Sequence, residues 1–557
     1  MSQVNTIANV TDEIDGDSAV DQNISAGVAL ADVLQTTLGP NGRDKMLVGD
    51  GQVVVTNKGA SIVDRIDIES PAAKLTAEIA QAQVGELGDG STSAIVLAGA
   101  LLREAEELIE DGFHPTTIVN GYAKAATRAQ VQLSELASWE GHDDDTYRQI
   151  VETAITGRWD ADRTRFLADL AVRGYRAAQT NEEPRLENVT IHGIAGGETT
   201  DSELLDGLVI DTDRSSTSLS DVPAPLPQRV EDARVAVVDD ELTIQTPEST
   251  SQLSLEDVDD LKRFQEFETD EYERYVDALT THDVDVLFCQ KSVDDELQLL
   301  LARAGILTFE RTRQDEVHKL ERATGAAPVM RLGEFDASAV GHAQVVERRT
   351  LGPSEFALVR DSASSQVSML LRGGTEHVVD ETEQIIVDGI DLLTSFDAQP
   401  GIVPEGGATE IALASDLRMW GRGVGDRTQI VINAVAEAFE TIPSTLARNA
   451  GHDPIDTILD LRHRHDDGEL AAGLDADSGT VTNMYDRGIV APIRLKERLI
   501  ANATDAVTSI LRIDGIIHVD EPLHGQGEGH DHDHDHDHGV GGEFKSDPHG
   551  YPWAIGH

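Results

Sequence analysis

Three glycine-bearing segments carry residue types suited to holding phosphate. In Leu38-Gly39-Pro40-Asn41-Gly42, two glycines around Pro and Asn allow a tight turn whose backbone amides can approach an anion closely. Gly88-Asp89-Gly90-Ser91-Thr92-Ser93 runs directly into the apolar stretch 94–102, so its amides and hydroxyls would sit at the positive end of a helix with one carboxylate beside them. That combination suits phosphate together with Mg²⁺, which takes one or two carboxylates and leaves its other positions to phosphate and water. An ordinary capped helix is the competing reading of the same residues. The third segment, Pro404-Glu405-Gly406-Gly407-Ala408, again leads into a helical pattern.

The elements that must position these loops are legible from periodicity. Residues 18–135 read mostly as helix, with Leu75, Ile79 and Ala82 on one face of one segment and Leu97, Leu101 and Leu108 on another. A short strand over 53–56 interrupts them. The acidic stretch 139–145 breaks the pattern, and helices follow over 147–155 and 163–178. A boundary near 136 is expected. Residues 215–228 are rich in Ser and Pro. Beyond them the period changes to strands at 235–238, 284–289 and 306–309, the last two flanking a helix over 294–303. From about 373 helix returns, ending with Leu499, Ala503, Val507 and Leu511 before a strand at 516–519. The simplest architecture is an α/β module inserted between two helical halves.

Composition limits what such a protein can do. Its 557 residues hold 44 Lys and Arg against 102 Asp and Glu, a net charge of −58, which repels nucleic acid and anionic membrane surfaces. Only nine of the 44 cations are lysines, and this acid-rich surface on a chain that is 39% apolar points to folding in concentrated salt. Cys289 is the only cysteine, within Val286-Leu287-Phe288-Cys289, and reads as a buried strand thiol in a reducing compartment. Residues 1–17 lack the cationic start and apolar core of a signal peptide. The longest apolar run, 94–102, has nine residues and stops at Arg103, too short to span a bilayer. A cytoplasmic location follows. From Gly525 the chain is low in complexity, with His530 to His538 alternating with Asp. It reads as a solvated tail, with chelation of Zn²⁺ or Ni²⁺ as the other reading.

Six blocks carry a family resemblance: Thr36-Thr37-Leu38-Gly39-Pro40, Asp67-Ile68-Glu69-Ser70-Pro71-Ala72-Ala73-Lys74, Gly88-Asp89-Gly90, Leu371-Arg372-Gly373-Gly374-Thr375, Asn449-Ala450-Gly451 and Ile510-Leu511-Arg512-Ile513-Asp514. In this order the chain resembles the group II chaperonins, the archaeal thermosome and its eukaryotic cytosolic relatives, over about residues 20–520. The resemblance implies a subunit of two stacked rings that enclose unfolded client proteins and cycle with ATP and Mg²⁺, with K⁺ as a further candidate ion. It implies equatorial segments at 1–135 and 401–524, intermediate segments at 136–205 and 367–400, an apical domain at 206–366, and a tail from 525 to 557. Residues 244–267 resemble the family's helical lid protrusion. There Leu253, Leu255, Val258, Leu261, Phe264 and Phe267 form an apolar side suited either to clients or to a neighbouring helix.

Matched position by position, the resemblance makes Leu38, Gly39 and Pro40 the first phosphate loop. Asp89 becomes the Mg²⁺ ligand, with Gly88, Gly90, Ser91, Thr92 and Ser93 as the phosphate-contacting turn, and Gly406 and Gly407 the last glycines of the third loop. Asp388 falls where the family places the carboxylate that activates the attacking water. Three positions depart from the pattern. Lys58 stands in place of an Asp beside the phosphates, Glu405 in place of a glycine, and Ala491 in place of a carboxylate near the sugar. By the match Lys58 is expected to lie near the γ-phosphate and to pair with Asp388; an outward-pointing surface cation is the competing reading. These departures leave open a structural ring subunit that binds nucleotide poorly, or turns it over slowly or not at all, in a mixed assembly with more active paralogues.

Overall fold

A computed structural model describes residues 13–49, 52–139, 143–180, 183–184, 189–212, 228–243, 258–351, 354–360 and 366–517. The apolar positions Leu253 and Leu255 and the His/Asp tail lie outside these. So do the side chains of Val258, Leu261, Phe264 and Phe267, although helix Val258–Thr281 itself is described. Residues 16–514 form one compact unit. The strands Glu13–Asp15 and Gly515–Ile517 belong to a second, where they pair antiparallel.

The main unit is built around helix Ser91–Glu110. Its residues from Ala94 to Leu102 are all buried, the pattern of a helix that is apolar all round and therefore central. Helices Asp17–Leu34, Pro71–Leu87 and Pro115–Leu136 pack on it from the N-terminal half. Ala408–Gly421, Thr428–Asn449 and Ile493–Ile510 complete the same core from the C-terminal half, so the two helical halves share one interior. The strand expected over 53–56 is one arm of a hairpin, Lys45–Gly49 with Gln52–Thr56.

Between the halves lies a smaller α/β layer. Strand Val367–Gly373 is central in a three-stranded sheet, parallel to Val189–Ala195 and antiparallel to Glu203–Asp206. Helices Ala161–Ala178 and Glu376–Ala398 cover it, and Asp144–Ile155 packs on those two helices. The inserted module is a six-stranded sheet in the order Leu307–Phe309, Val286–Cys289, Arg229–Val238, Gly341–Leu351, Ser354–Arg360, Leu208–Thr212. Its first three strands are parallel and the rest antiparallel. Val235 and Val237 face one core, Ala236 and Val238 the other. Burial on both faces explains why this strand reads as an unbroken apolar run. Cys289 is buried there, its thiol pushed up to about 12 by burial, and its Sγ donates to the Asp240 carbonyl. Among the described residues no helix is long and apolar enough to cross a membrane.

Candidate functional site

The second glycine loop is a turn between two buried helices. Helix Pro71–Leu87 ends at Gly88 with φ 72°, and helix Ser91–Glu110 starts after Gly90 with φ 83°, so left-handed residues flank Asp89 on both sides. Gly88 also has a neighbour that no side chain could accommodate. A Cβ there would lie 2.7 Å from the Asp388 carbonyl oxygen, so the turn is pressed against helix Glu376–Ala398 at that residue. The helix starts at Ser91 rather than at the apolar Ala94, which puts the hydroxyl side chains in its first turn beside its unpaired amides.

The first loop is held from the other helical half. Asn449 Nδ2 donates to the carbonyls of Gln35 and Leu38 at 2.9 and 2.8 Å, and the Gly42 amide closes a turn on the Gly39 carbonyl. The third follows strand Ile402–Pro404, which pairs antiparallel with Val490–Pro492 and sets Val403 opposite Ala491. Gly407 starts helix Ala408–Gly421.

These segments converge on one cavity. Its wall includes Leu38, Gly39, Pro40, Lys58, the whole run Gly88 to Ser93, Glu405, Gly406, Ala491 and Lys496. Gly407 and Asp388, both expected at the site, are not among the residues that line it. Asp388 is covered by Lys58, whose Nζ donates to both carboxylate oxygens at 2.9 and 2.7 Å, with each side chain only 10% exposed. Gln384 Nε2 donates to the same carboxylate at 2.8 Å, and Arg158 Nη1 stands 4.0 Å away.

Charge is crowded here. Burial raises the Asp89 carboxyl above its ordinary range, while a Gly90 backbone hydrogen bond and the cations Arg158 and Lys58 pull it back. Asp391 is pushed up to about 6 by burial and by the charge of Asp388. Elsewhere in the wall the Lys496 ammonium lies 2.8 Å from Glu405 and 2.6 Å from Glu410. Burial pushes Glu405 up to about 7 against the pull of Lys496, and the two carboxylates raise Lys496 in turn.

Sequence reasoning missed Arg158 and the Glu405–Lys496–Glu410 triad. No local motif marks either: Arg158 follows a glycine turn, and Lys496 is one position among many on an amphipathic helix. The arrangement offers amides and hydroxyls at a helix start, a carboxylate at Asp89 that makes no ion pair among the described residues, and a second carboxylate, Asp388, neutralised by an ammonium. Among the described residues no group of three or more His, Cys, Asp or Glu side chains could hold a metal. An ion at Asp89 would therefore draw its other ligands from phosphate and water, which fits Mg²⁺.

Two helical halves that close around one cavity, with an α/β layer reaching that cavity and a second α/β module inserted beyond it, make the architecture of a chaperonin subunit. Residues 30–521 match the model of the TCP-1/cpn60 chaperonin family, and the chain belongs to that family. It is 42% identical over 516 residues to thermosome subunit alpha of Halobacterium salinarum, covering 92% of this chain and 90% of that one. Thermosome subunit 1 of Haloferax volcanii is 40% identical over 514 residues, with the same coverage. The thermosome subunit of Methanopyrus kandleri is 38% identical over 513 residues, covering 91% and 93%. These relatives set the chain among the group II chaperonins and support a chaperonin role in ATP-dependent protein folding.

Proposed function

We infer that this chain is a subunit of a double-ring chaperonin that encloses unfolded client proteins and is driven by ATP hydrolysis. The observation that carries the reading is the convergence of Gly39-Pro40, the Gly88–Ser93 turn and Gly406 on one cavity. The phosphates would lie against the amides of the first loop and the start of helix Ser91–Glu110. Asp89 would hold Mg²⁺, which supplies neutralisation of the polyphosphate charge. Asp388 is the base for the attacking water once it is free of Lys58. The division into equatorial (1–135, 401–524), intermediate (136–205, 367–400) and apical (206–366) segments belongs to the same proposal.

Assembly has independent support in the hairpin Lys45–Gly49/Gln52–Thr56. Met46 pairs with Val55 and Val48 with Val53, and all four side chains are exposed, an apolar face that a homologous subunit would cover. The Lys58–Asp388 pair favours a second reading, a ring member that binds nucleotide and hydrolyses it slowly within a mixed assembly. One experiment tests both: ATP turnover and assembly state measured on the same purified sample in about 2 M KCl. Rings with sustained turnover support the first reading, and rings that bind ATP but hydrolyse it slowly or not at all the second. A monomer under all conditions, alone and with co-expressed paralogues, refutes both.

A further inference from the structure

The nucleotide reading leaves Glu405 unexplained, since a carboxylate in a polyphosphate site is repulsive unless it faces some other part of the ligand. Its place in the fold says which part. The Glu405 amide donates to the Ile489 carbonyl, and the next residue, Gly406, accepts from the Leu474 amide at 2.8 Å. Glu405 is thus stitched to a part of the wall where Leu474, Ile489, Val490 and Ala491 present apolar side chains suited to a base. The amide of Gly39 and the amides and hydroxyls of residues 88–93 are the phosphate-compatible groups of the wall. Glu405 and Asp89 are the only acidic side chains in the described wall, and Glu405 is gripped by Lys496, whose neighbour Leu495 lies 3.2 Å from where a Cβ on Gly90 would stand, so Glu405 is tied toward the Gly88–Ser93 turn. In a nucleoside triphosphate the group between base and phosphates is the sugar.

The local chemistry suits a sugar. Lys496 Nζ holds Oε1 of Glu405 at 2.8 Å while also binding Glu410, which fixes the carboxylate and offsets its charge. Oε2 has no hydrogen-bond partner among the described residues and is left as an acceptor. Ala491, opposite Val403 on the paired strand and two residues past the Ile489 that holds the Glu405 amide, brings no polar side chain to this part of the wall. A carboxylate with a free oxygen pairs naturally with the hydroxyl donors of a ribose.

Resting on the nucleotide-binding reading, we propose that Glu405 is a specificity-determining residue that accepts hydrogen bonds from the ribose hydroxyls and selects ribonucleotides over deoxyribonucleotides. The test is calorimetric binding of ATP, 2′-deoxyATP and 3′-deoxyATP, with Mg²⁺ in about 2 M KCl at about pH 8, to the full chain and to Glu405→Gln and Glu405→Gly. Both variants leave Lys496 its Glu410 partner. The parent should bind ATP about tenfold or more tighter than at least one deoxy analogue, the size expected for a hydrogen bond to a charged group. Both variants should lose ATP affinity and leave the affinity for that analogue unchanged. Equal binding of all three nucleotides by the parent, or an equal loss for all three in the variants, overturns the assignment of Glu405 while leaving the nucleotide site standing. Failure of the parent to bind any of the three overturns the nucleotide reading and this proposal with it.

Discussion

Replacing Lys58 by Asp tests whether this chain carries its own brake on hydrolysis. The ammonium sits 2.7 to 2.9 Å from both oxygens of Asp388, and each side chain is 10% exposed, so solvent screening is weak. At that distance and an effective dielectric near 20, Coulomb attraction is worth about 6 kcal/mol before desolvation. Asp388 can polarise a water only by loosening this contact. If a quarter of the attraction adds to the barrier, about 1.5 kcal/mol, turnover slows about tenfold. Lys58→Asp removes the attraction and leaves the Gln384 hydrogen bond in place. The expected result is a rise of about tenfold or more in maximal ATP turnover, measured as phosphate release at saturating Mg-ATP in about 2 M KCl and about pH 8. Removing one partner of a buried pair costs about 3–5 kcal/mol, so the neutral Lys58→Asn is run beside it and thermal unfolding is followed for both. Adding Asp388→Asn to either variant should erase the gain. A fall in turnover on Lys58→Asp, or a gain that survives Asp388→Asn, refutes the reasoning and makes Lys58 a working part of the site.

Further expectations follow from other parts of the molecule. Gly88→Ala puts a Cβ 2.7 Å from the Asp388 carbonyl at a φ of 72°, and should lower stability by about 2 kcal/mol or more and displace Asp388; unchanged thermal unfolding and turnover would contradict it. Glu316, fully buried at the start of helix Gln314–Thr324, is pushed up to about 7 by burial, so the fold holds its proton between about 4.5 and 7 and stability falls as pH rises through that window. Glu316→Gln should therefore gain on the parent by up to about 3 kcal/mol between pH 5 and pH 8, and a pH-independent difference in unfolding would exclude this. With a net charge of −58, lowering KCl from about 2 M to about 0.1 M should dissolve the assembly and then the secondary structure. Sedimentation and circular dichroism that stay constant across that range would show that self-repulsion is not decisive.

Much of the architecture could be read from the chain because its causes are local. Periodic apolar residues mark the helices around Ser91–Glu110, the run Val286–Cys289 marks a strand buried on both faces, and paired glycines mark turns that need left-handed backbone at Gly88 and Gly90. The charge balance, the lone buried thiol and the order of the loops are likewise properties of the sequence as a string. Where loops meet depends on contacts that no window of sequence contains. Lys58 and Asp388 are 330 residues apart, and their pairing was an expectation only through the family resemblance. The grip of Lys496 on Glu405 and Glu410, and the approach of Arg158 to Asp388, had no sequence signal at all. A salt bridge needs two charges within a few ångströms, and packing of the two helical halves and the α/β layer is what brings such distant residues to one cavity wall.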